Sequence, residues 1–420
     1  MSGPRVTRLD NGFRIISENW QRLETVSVGV WVDVGSRHEP VELGGIAHYI
    51  EHMLFKGTKK RSAQAIAEEI EAVGGHLNAY TSRDQTTYFA RVLKDDLDLA
   101  VDMISDILLH SNFDPAETAR EQDVILQEIG QSEDTPDDIV FDHLQETAFP
   151  SQPLGRPILG TPESVKAISA DALKSYQNTS YTAGNMVLAA VGNVDHDALV
   201  DMAKAAFAAL PAGEGPKHSV AAYSGGEARS DKALEQLHIT LGFSGVSLYD
   251  DHYYTKQVFS MLFGGGMSSR LFQQVREKRG LAYSVYSFTS SHEDTGLWGI
   301  YAGTSGDMAA ELIDELASEL HDVMENVTDK EVLRARTQLK AGLMMAMEST
   351  STRAEQLGRQ MMIFDRVVPV DEVLKGVDAV DVAAVKDFIK QSLSKPITVA
   401  YVGPGESVPP YEDVQAKFKL

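Results

Sequence analysis

Two imidazoles and a carboxylate stand inside a largely apolar stretch, Gly44-Gly45-Ile46-Ala47-His48-Tyr49-Ile50-Glu51-His52-Met53-Leu54-Phe55. On a helix, His48 and His52 sit at i and i+4, so both rings leave the same face one turn apart. That spacing suits two neutral ring nitrogens on one zinc ion at about 2.0–2.1 Å. Glu51, three residues after His48, lies beside them and can reach a water at such a metal. The competing reading of an isolated H-x-x-E-H match is a helix whose His residues only pack and cap.

A catalytic zinc site takes three protein ligands and keeps one position open. The chain has no cysteine, so thiolate sites and disulfides are excluded and the third ligand must be His, Asp or Glu. A second helical pattern, Glu117-Thr118-Ala119-Arg120-Glu121-Gln122-Asp123-Val124-Ile125-Leu126-Gln127-Glu128-Ile129, offers Glu121 and Glu128, seven positions apart on one face. Acidic pairs on helices usually face water, and spacing alone does not choose between these two.

The chain also repeats itself. Leu23-Glu24-Thr25-Val26-Ser27-Val28-Gly29-Val30 has a counterpart in Leu234-Glu235-Gln236-Leu237-His238-Ile239-Thr240-Leu241, 211 positions on. Val187-Leu188-Ala189-Ala190-Val191-Gly192 matches Thr398-Val399-Ala400-Tyr401-Val402-Gly403 at the same separation, and Met53-Leu54-Phe55 matches Met261-Leu262-Phe263 at 208. The reading is two homologous domains, 1–212 and 232–420, joined by a linker at 213–231 where Pro, Gly, Ser and charge replace periodic apolar residues. The repeat is an internal control. By the Met-Leu-Phe alignment, His48, Glu51 and His52 correspond to Lys256, Phe259 and Ser260. Polar groups needed for folding would stand in both copies. Their restriction to the first favours chemistry.

The elements that must position these residues are mixed. Strand-like runs cover 25–34, 77–92 and 186–191, and helical patterns cover 45–55, 63–73, 95–109, 116–131 and 196–210. Runs of helices and short hairpin-like links predict an α+β fold, with a mostly antiparallel or mixed sheet in each domain covered by helices on one face. No glycine-rich phosphate loop stands between a strand and a helix.

H-x-x-E-H followed 76 residues later by a Glu inside an E-x6-E helix resembles the M16 family of metallopeptidases. These are the inverted zincins, which include insulin-degrading enzyme and the mitochondrial processing peptidase. The resemblance implies one Zn2+ per chain on His48, His52 and Glu128, with Glu51 as general base and Glu121 orienting a ligand from behind. It extends to the second copy. Gly264-Gly265-Gly266-Met267-Ser268-Ser269-Arg270-Leu271-Phe272 leads into Val275-Arg276-Glu277-Lys278-Arg279-Gly280-Leu281-Ala282-Tyr283. This is similar to the family's C-terminal signature, in which an Arg and a Tyr seven apart face the zinc site. Arg276 and Tyr283 would hold a substrate carbonyl and stabilise its oxyanion.

The nearest branch is the bacterial type similar to the processing peptidase β subunit. That likeness implies that Asn78, Ala79 and Tyr80 form an edge strand pairing with an extended peptide. Phe55 would line the pocket for the residue after the scissile bond. Asp138 and Asp142, at i and i+4, would accept a basic side chain near the cut. The respective bland readings are a paired strand, a core aromatic and a solvated acidic cap. The long glycine-rich loop of the non-catalytic subunit is absent. The resemblance therefore implies a homodimer in which Arg276 and Tyr283 of one chain complete the zinc site of the other.

Composition narrows the partners. A net charge of −23 argues against nucleic acid and steers basic ligands inward. No apolar run approaches the ~18 residues of a membrane span, and no signal or transit peptide is seen, which leads to an expectation of a cytoplasmic bacterial protein without membrane partners. Two alternative readings have distinct sequence signatures. A catalytically silent structural member of the same family should have lost H-x-x-E-H or the third ligand. An interaction protein with a regulatory zinc would not need Glu51.

Overall fold

The computed structural model describes residues 3–420. Six strands form the first sheet: β1 (Arg5–Arg8), β2 (Arg14–Asn19), β3 (Thr25–Val32), β4 (His76–Thr81), β5 (Thr86–Leu93) and β6 (Met186–Gly192). Their order is β1-β2-β6-β3-β5-β4, so β4 lies at an edge. Only the β2–β6 pair is parallel. The valines of β3, at positions 26, 28, 30 and 32, share one face, and its residues after Thr25 are all buried, as expected of a central, β-branched strand.

Five strands form the second sheet: β7 (Gly226–Asp231), β8 (Leu237–Ser244), β9 (Ser284–Ser291), β10 (Gly296–Thr304) and β11 (Thr398–Gly403). The order β7-β11-β8-β10-β9 repeats that of β2-β6-β3-β5-β4, with one parallel pair again. The α+β, mostly antiparallel expectation therefore holds. The run 77–92 is not one strand but the β4–β5 hairpin. Ser82 and Gln85 hydrogen-bond across its turn through backbone and the Ser82 hydroxyl, and the polar Ser82-Arg83-Asp84-Gln85 segment has no apolar face to continue the pleat.

Helices cover both faces of each sheet, not one as expected. On the first sheet, α1 (Ile46–Leu54), α2 (Ala63–Ala72) and α3 (Leu97–His110) meet the face bearing Val26, Val28 and Val30. The opposite face, with Ile16, Trp31, Val187 and Ala189, lies under the helix Thr350–Ile363. Gly358 permits that contact, since a Cβ there would lie 2.4 Å from the Trp31 ring. Burying such a side chain contributes about 2–3 kcal/mol. On the second sheet, Ile239, Leu241 and Ile300 pack under the helix Tyr253–Gly264 and its neighbours. Its other face takes Val140, Leu144 and Ala148 of α5 (Pro136–Ala148).

Each copy of the repeat thus lends a helix to the other copy's sheet. The compact units are accordingly discontinuous: 1–129, 157–218 and 344–368 form one, and 130–156, 219–343 and 369–420 the other. The contiguous segments 1–212 and 232–420 describe the repeat, whereas compactness divides the chain differently. Among the described residues no helix is long and apolar enough to cross a membrane.

Candidate metal centre

Helix α1 begins at Gly45, whose φ of +91° and whose position, 2.5 Å from Leu159 O to any Cβ, admit only glycine without strain. The Glu39 carboxylate accepts from the amides of Gly45 (2.8 Å) and Ala47 (2.9 Å), satisfying N–H groups that a helix start leaves unpaired. Ile46, Ala47, Tyr49, Ile50, Met53 and Leu54 are buried. The remaining face carries His48, Glu51 and His52, all half-buried. Helix α4 (Pro115–Glu133) is tied to α1 by the Tyr49 hydroxyl, which donates to Thr118 O.

This places three donor groups together. Atoms of His48, His52 and Glu128 lie within 4.8 Å of one another. Glu128 Oε2 is 3.7 Å from His48 Nε2 and 3.5 Å from His52 Nε2. Ligands about 2.1 Å from a tetrahedral zinc stand about 3.4 Å apart, so the donor set fits zinc in both chemistry and spacing. Among the described residues no other His, Cys, Asp or Glu group of this kind occurs.

The surroundings set the protonation of the donors. Burial and the neighbouring His52 push the His48 imidazole down to about 3, which leaves its ring neutral and its lone pair available at neutral pH. Glu121 Oε2 stands 3.0 Å from His52 Nδ1. Acceptance of a proton there fixes the tautomer that leaves Nε2 free to ligate. Glu121 is itself buried and pairs with Lys56 Nζ at 2.6 Å. Burial raises the Glu51 carboxyl above the ordinary carboxylate range, against the lowering effect of the Thr81 hydroxyl, which donates to Glu51 Oε2 at 2.5 Å.

The second copy differs at every matching position. Lys256 is fully buried and donates to Ser290 O (3.1 Å) and to Ser291 Oγ. Burial pushes its amine down to about 7. Ser260 Oγ shares a hydrogen bond with Ser287 Oγ at 2.9 Å.

The other residues expected at a site are placed as follows. Arg276 lies in a π-helical stretch, Phe272–Lys278, with its guanidinium 4.7 Å from the Phe272 ring centre and 4.9 Å from that of Tyr283. Tyr283 is 75% exposed. The motif thus brings its Arg and Tyr together, in the second compact unit. Asn78, Ala79 and Tyr80 lie on edge strand β4, and Asn78 Oδ1 accepts from the Ala79 amide at 2.9 Å. Phe55 lines a half-open cavity of about 260 Å³ with Ile66, Ile70, Gly75 and Leu77. Asp138 and Asp142 lie one turn apart near the start of α5, where Ser132 Oγ donates to Asp138 at 3.3 Å.

The sequence profile of the insulinase family (Peptidase family M16) matches residues 14–162, and that of the Peptidase M16 inactive domain matches residues 167–339. An uncharacterised zinc protease of Rickettsia felis is 38% identical over 96% of this chain and 98% of its own. The chain belongs to peptidase family M16. A probable mitochondrial-processing peptidase β subunit of Arabidopsis thaliana is 39% identical, over 97% of this chain and 80% of the relative. An uncharacterised zinc protease of Bacillus subtilis is 36% identical over 95% and 98%. The M16 fold is matched by a peptidase M16 inactive domain from Pseudomonas fluorescens, at TM-score 0.89 and 22% identity over 97% of this chain and 100% of that one. A chain of complex III2 from Candida albicans matches at TM-score 0.87 and 24% identity, over 99% and 100%.

Sequence reasoning missed three residues at this M16 site. Lys56 was within reach, being four residues beyond His52 and just past the end of α1. Thr81 follows the edge-strand residues directly, but nothing local marks its hydroxyl as a partner of Glu51. Glu355, which touches Tyr80 from the far end of the chain, leaves no local signal.

Proposed function

We propose that this M16 chain is a zinc-dependent endopeptidase acting on unfolded or extended peptides, with His48, His52 and Glu128 as ligands and Glu51 as general base. The observation that carries the reading is the convergence of those three donors beside a half-buried carboxylate, in one copy of the repeat only. Zinc held there supplies a Lewis acid that activates water near neutral pH. Glu51, with one oxygen held by Thr81, takes the proton from the attacking water on the other and passes it to the leaving amine. Glu121 keeps His52 oriented, and Lys56 balances the charge of Glu121.

Substrate binding is read from the residues that the family resemblance names. Strand β4 has a partner on one side only, which suits an extended peptide adding as a further strand. Phe55 and its cavity would receive the residue after the cut. Asp138 and Asp142 would hold an arginine before it, the planar guanidinium matching paired carboxylates. Arg276 and Tyr283, half-buried and exposed donors already held together, would bind the carbonyl oxygen from a second copy of the chain in a homodimer.

The test is metal content and peptide hydrolysis, with mapped cut sites, for wild type and Glu51→Gln. One zinc per chain in both proteins, with hydrolysis only in the wild type and faster cutting of Arg- than of Ala-containing peptides, is the expected outcome. Zinc binding without hydrolysis of any peptide by the purified wild type would overturn the peptidase reading and favour a silent subunit.

A further inference from the structure

The carboxylate of Glu355, on the helix Thr350–Ile363, joins two strands of the first sheet from the face opposite α1. Glu355 Oε1 accepts from the Tyr80 hydroxyl at 2.6 Å, and Oε2 accepts from Trp31 Nε1 at 2.9 Å. Gln85 Nε2 supports the arrangement, donating to Tyr80 Oη at 3.0 Å. Trp31 is buried in central strand β3, so one end of the bridge is immobile. Tyr80 belongs to edge strand β4, which pairs only with β5. The next residue, Thr81, holds Glu51.

The repeat supplies a comparison. The N-caps of α5 and of Thr350–Ile363, Thr135 and Ser349, are 214 positions apart. At that separation Gly358 matches Leu144 and Glu355 matches Phe141. The correspondence holds in space. Where Gly358 admits Trp31, Leu144 instead approaches Gly242, with Cδ1 2.8 Å from the position of a Cβ on that glycine. Trp31 and Gly242 are themselves 211 positions apart. Phe141 stacks on Tyr301 at 5.6 Å and meets Phe288 edge-on at 5.1 Å. An apolar contact therefore suffices to seat this helix. A half-buried carboxylate costs desolvation unless fully paired, and of the two matched positions only the one in the compact unit that holds the metal donors carries one.

We infer that Glu355 is a positioning residue, which clamps edge strand β4 through Tyr80 at the height needed to receive an extended peptide and to hold Thr81 against Glu51. The inference rests on the peptidase reading above. Burial and the adjacent Glu355 push the Tyr80 phenol up to about 12, so it remains a donor over the whole physiological range. The chain thereby uses a helix from its second copy to align the substrate strand of the first.

Glu355→Ala and Tyr80→Phe should each raise KM for a peptide about tenfold while kcat changes less than about threefold. The double variant should raise KM no further than Glu355→Ala alone, since both single variants remove the Tyr80–Glu355 bond. Glu355→Gln should return KM to within about twofold of wild type, because its amide oxygen can accept from Trp31 while its NH2 donates to Tyr80. Hydrogen exchange of the 76–81 amides should quicken in Glu355→Ala without substrate present. Unchanged exchange of that segment refutes the clamp whatever the activity. A fall in kcat and melting temperature with KM unchanged refutes it too, since that marks a purely structural role. A wild type that cuts no peptide refutes the parent reading instead, and the exchange data distinguish the two failures.

Discussion

Lys256 sits where the metal-bearing copy has His48, and replacing it with Met exposes what its burial costs. The amine is fully buried and pushed from an ordinary value near 10.5 down to about 7. A lowered lysine value means that the unfolded chain binds the proton more tightly, so stability rises with pH through the interval between the two values. Below about pH 7 both states are protonated and the penalty is complete. Over the interval it amounts to about 5 kcal/mol, at ~1.4 kcal/mol per pH unit, and above about 10.5 it vanishes. Met fills similar volume without charge but forfeits the bonds to Ser290 O and Ser291 Oγ, a loss of about 1–2 kcal/mol. Lys256→Met should therefore stabilise the chain by about 3–4 kcal/mol at pH 6–7 and destabilise it slightly above pH 10.5. Trp298, which meets Phe259 of the same helix at 5.0 Å, is the reporter. Equilibrium denaturation is followed by its fluorescence, with Trp20 and Trp31 replaced by Phe in both proteins. A difference between variant and parent that does not change with pH would refute the reasoning. Destabilisation at pH 6–7 would refute it as well.

Two further outcomes are expected. Glu121→Gln keeps an acceptor for His52 but removes the charge paired with Lys56, and should weaken zinc binding about 10–100-fold in a chelator competition while leaving the circular dichroism unchanged. Gly45→Ala forces a Cβ toward Leu159 O at a positive φ and should cost about 1–3 kcal/mol, read as a lower melting temperature together with weaker metal binding. A Gly45→Ala protein that melts with the wild type would mean that the start of α1 tolerates the shift.

Much of the first sheet was legible because burial writes itself locally. The run 25–34 is β-branched and apolar at every second position, and the structure makes it a central strand of a sheet covered on both sides. The same signal does not mark where a hairpin turns. The run 77–92 carries strand-forming residues on either side of four polar ones, and the hydrogen bonds of Ser82 and Gln85 decide the turn. The repeat was legible from short similarities at separations of 211 and 208 positions, and the matching strand orders of the two sheets reflect it. The helix exchange was not. Amphipathic helices such as α5 and Thr350–Ile363 show which face wants burial, and nothing in that pattern names the sheet that buries it.

The sequence by itself determined that His48, Glu51 and His52 stand together on α1, because residues at i, i+3 and i+4 share a helical face whatever surrounds them. It also determined that the second copy lacks that set, since Lys256, Phe259 and Ser260 cannot stand in for two imidazoles and a carboxylate. Choosing Glu128 over Glu121 needed either a family resemblance or coordinates, because two glutamates two turns apart are equivalent until α4 is docked against α1. The docked helices set Glu128 beside both Nε2 atoms and Glu121 behind His52 Nδ1. Tertiary structure alone decided the partners that come from afar: Thr81 on Glu51, and Glu355 on Tyr80 and Trp31. The physical reason is range. Helical and strand periodicity relate residues a few positions apart, whereas a hydrogen bond between residues 275 positions apart exists only once packing has brought their elements together.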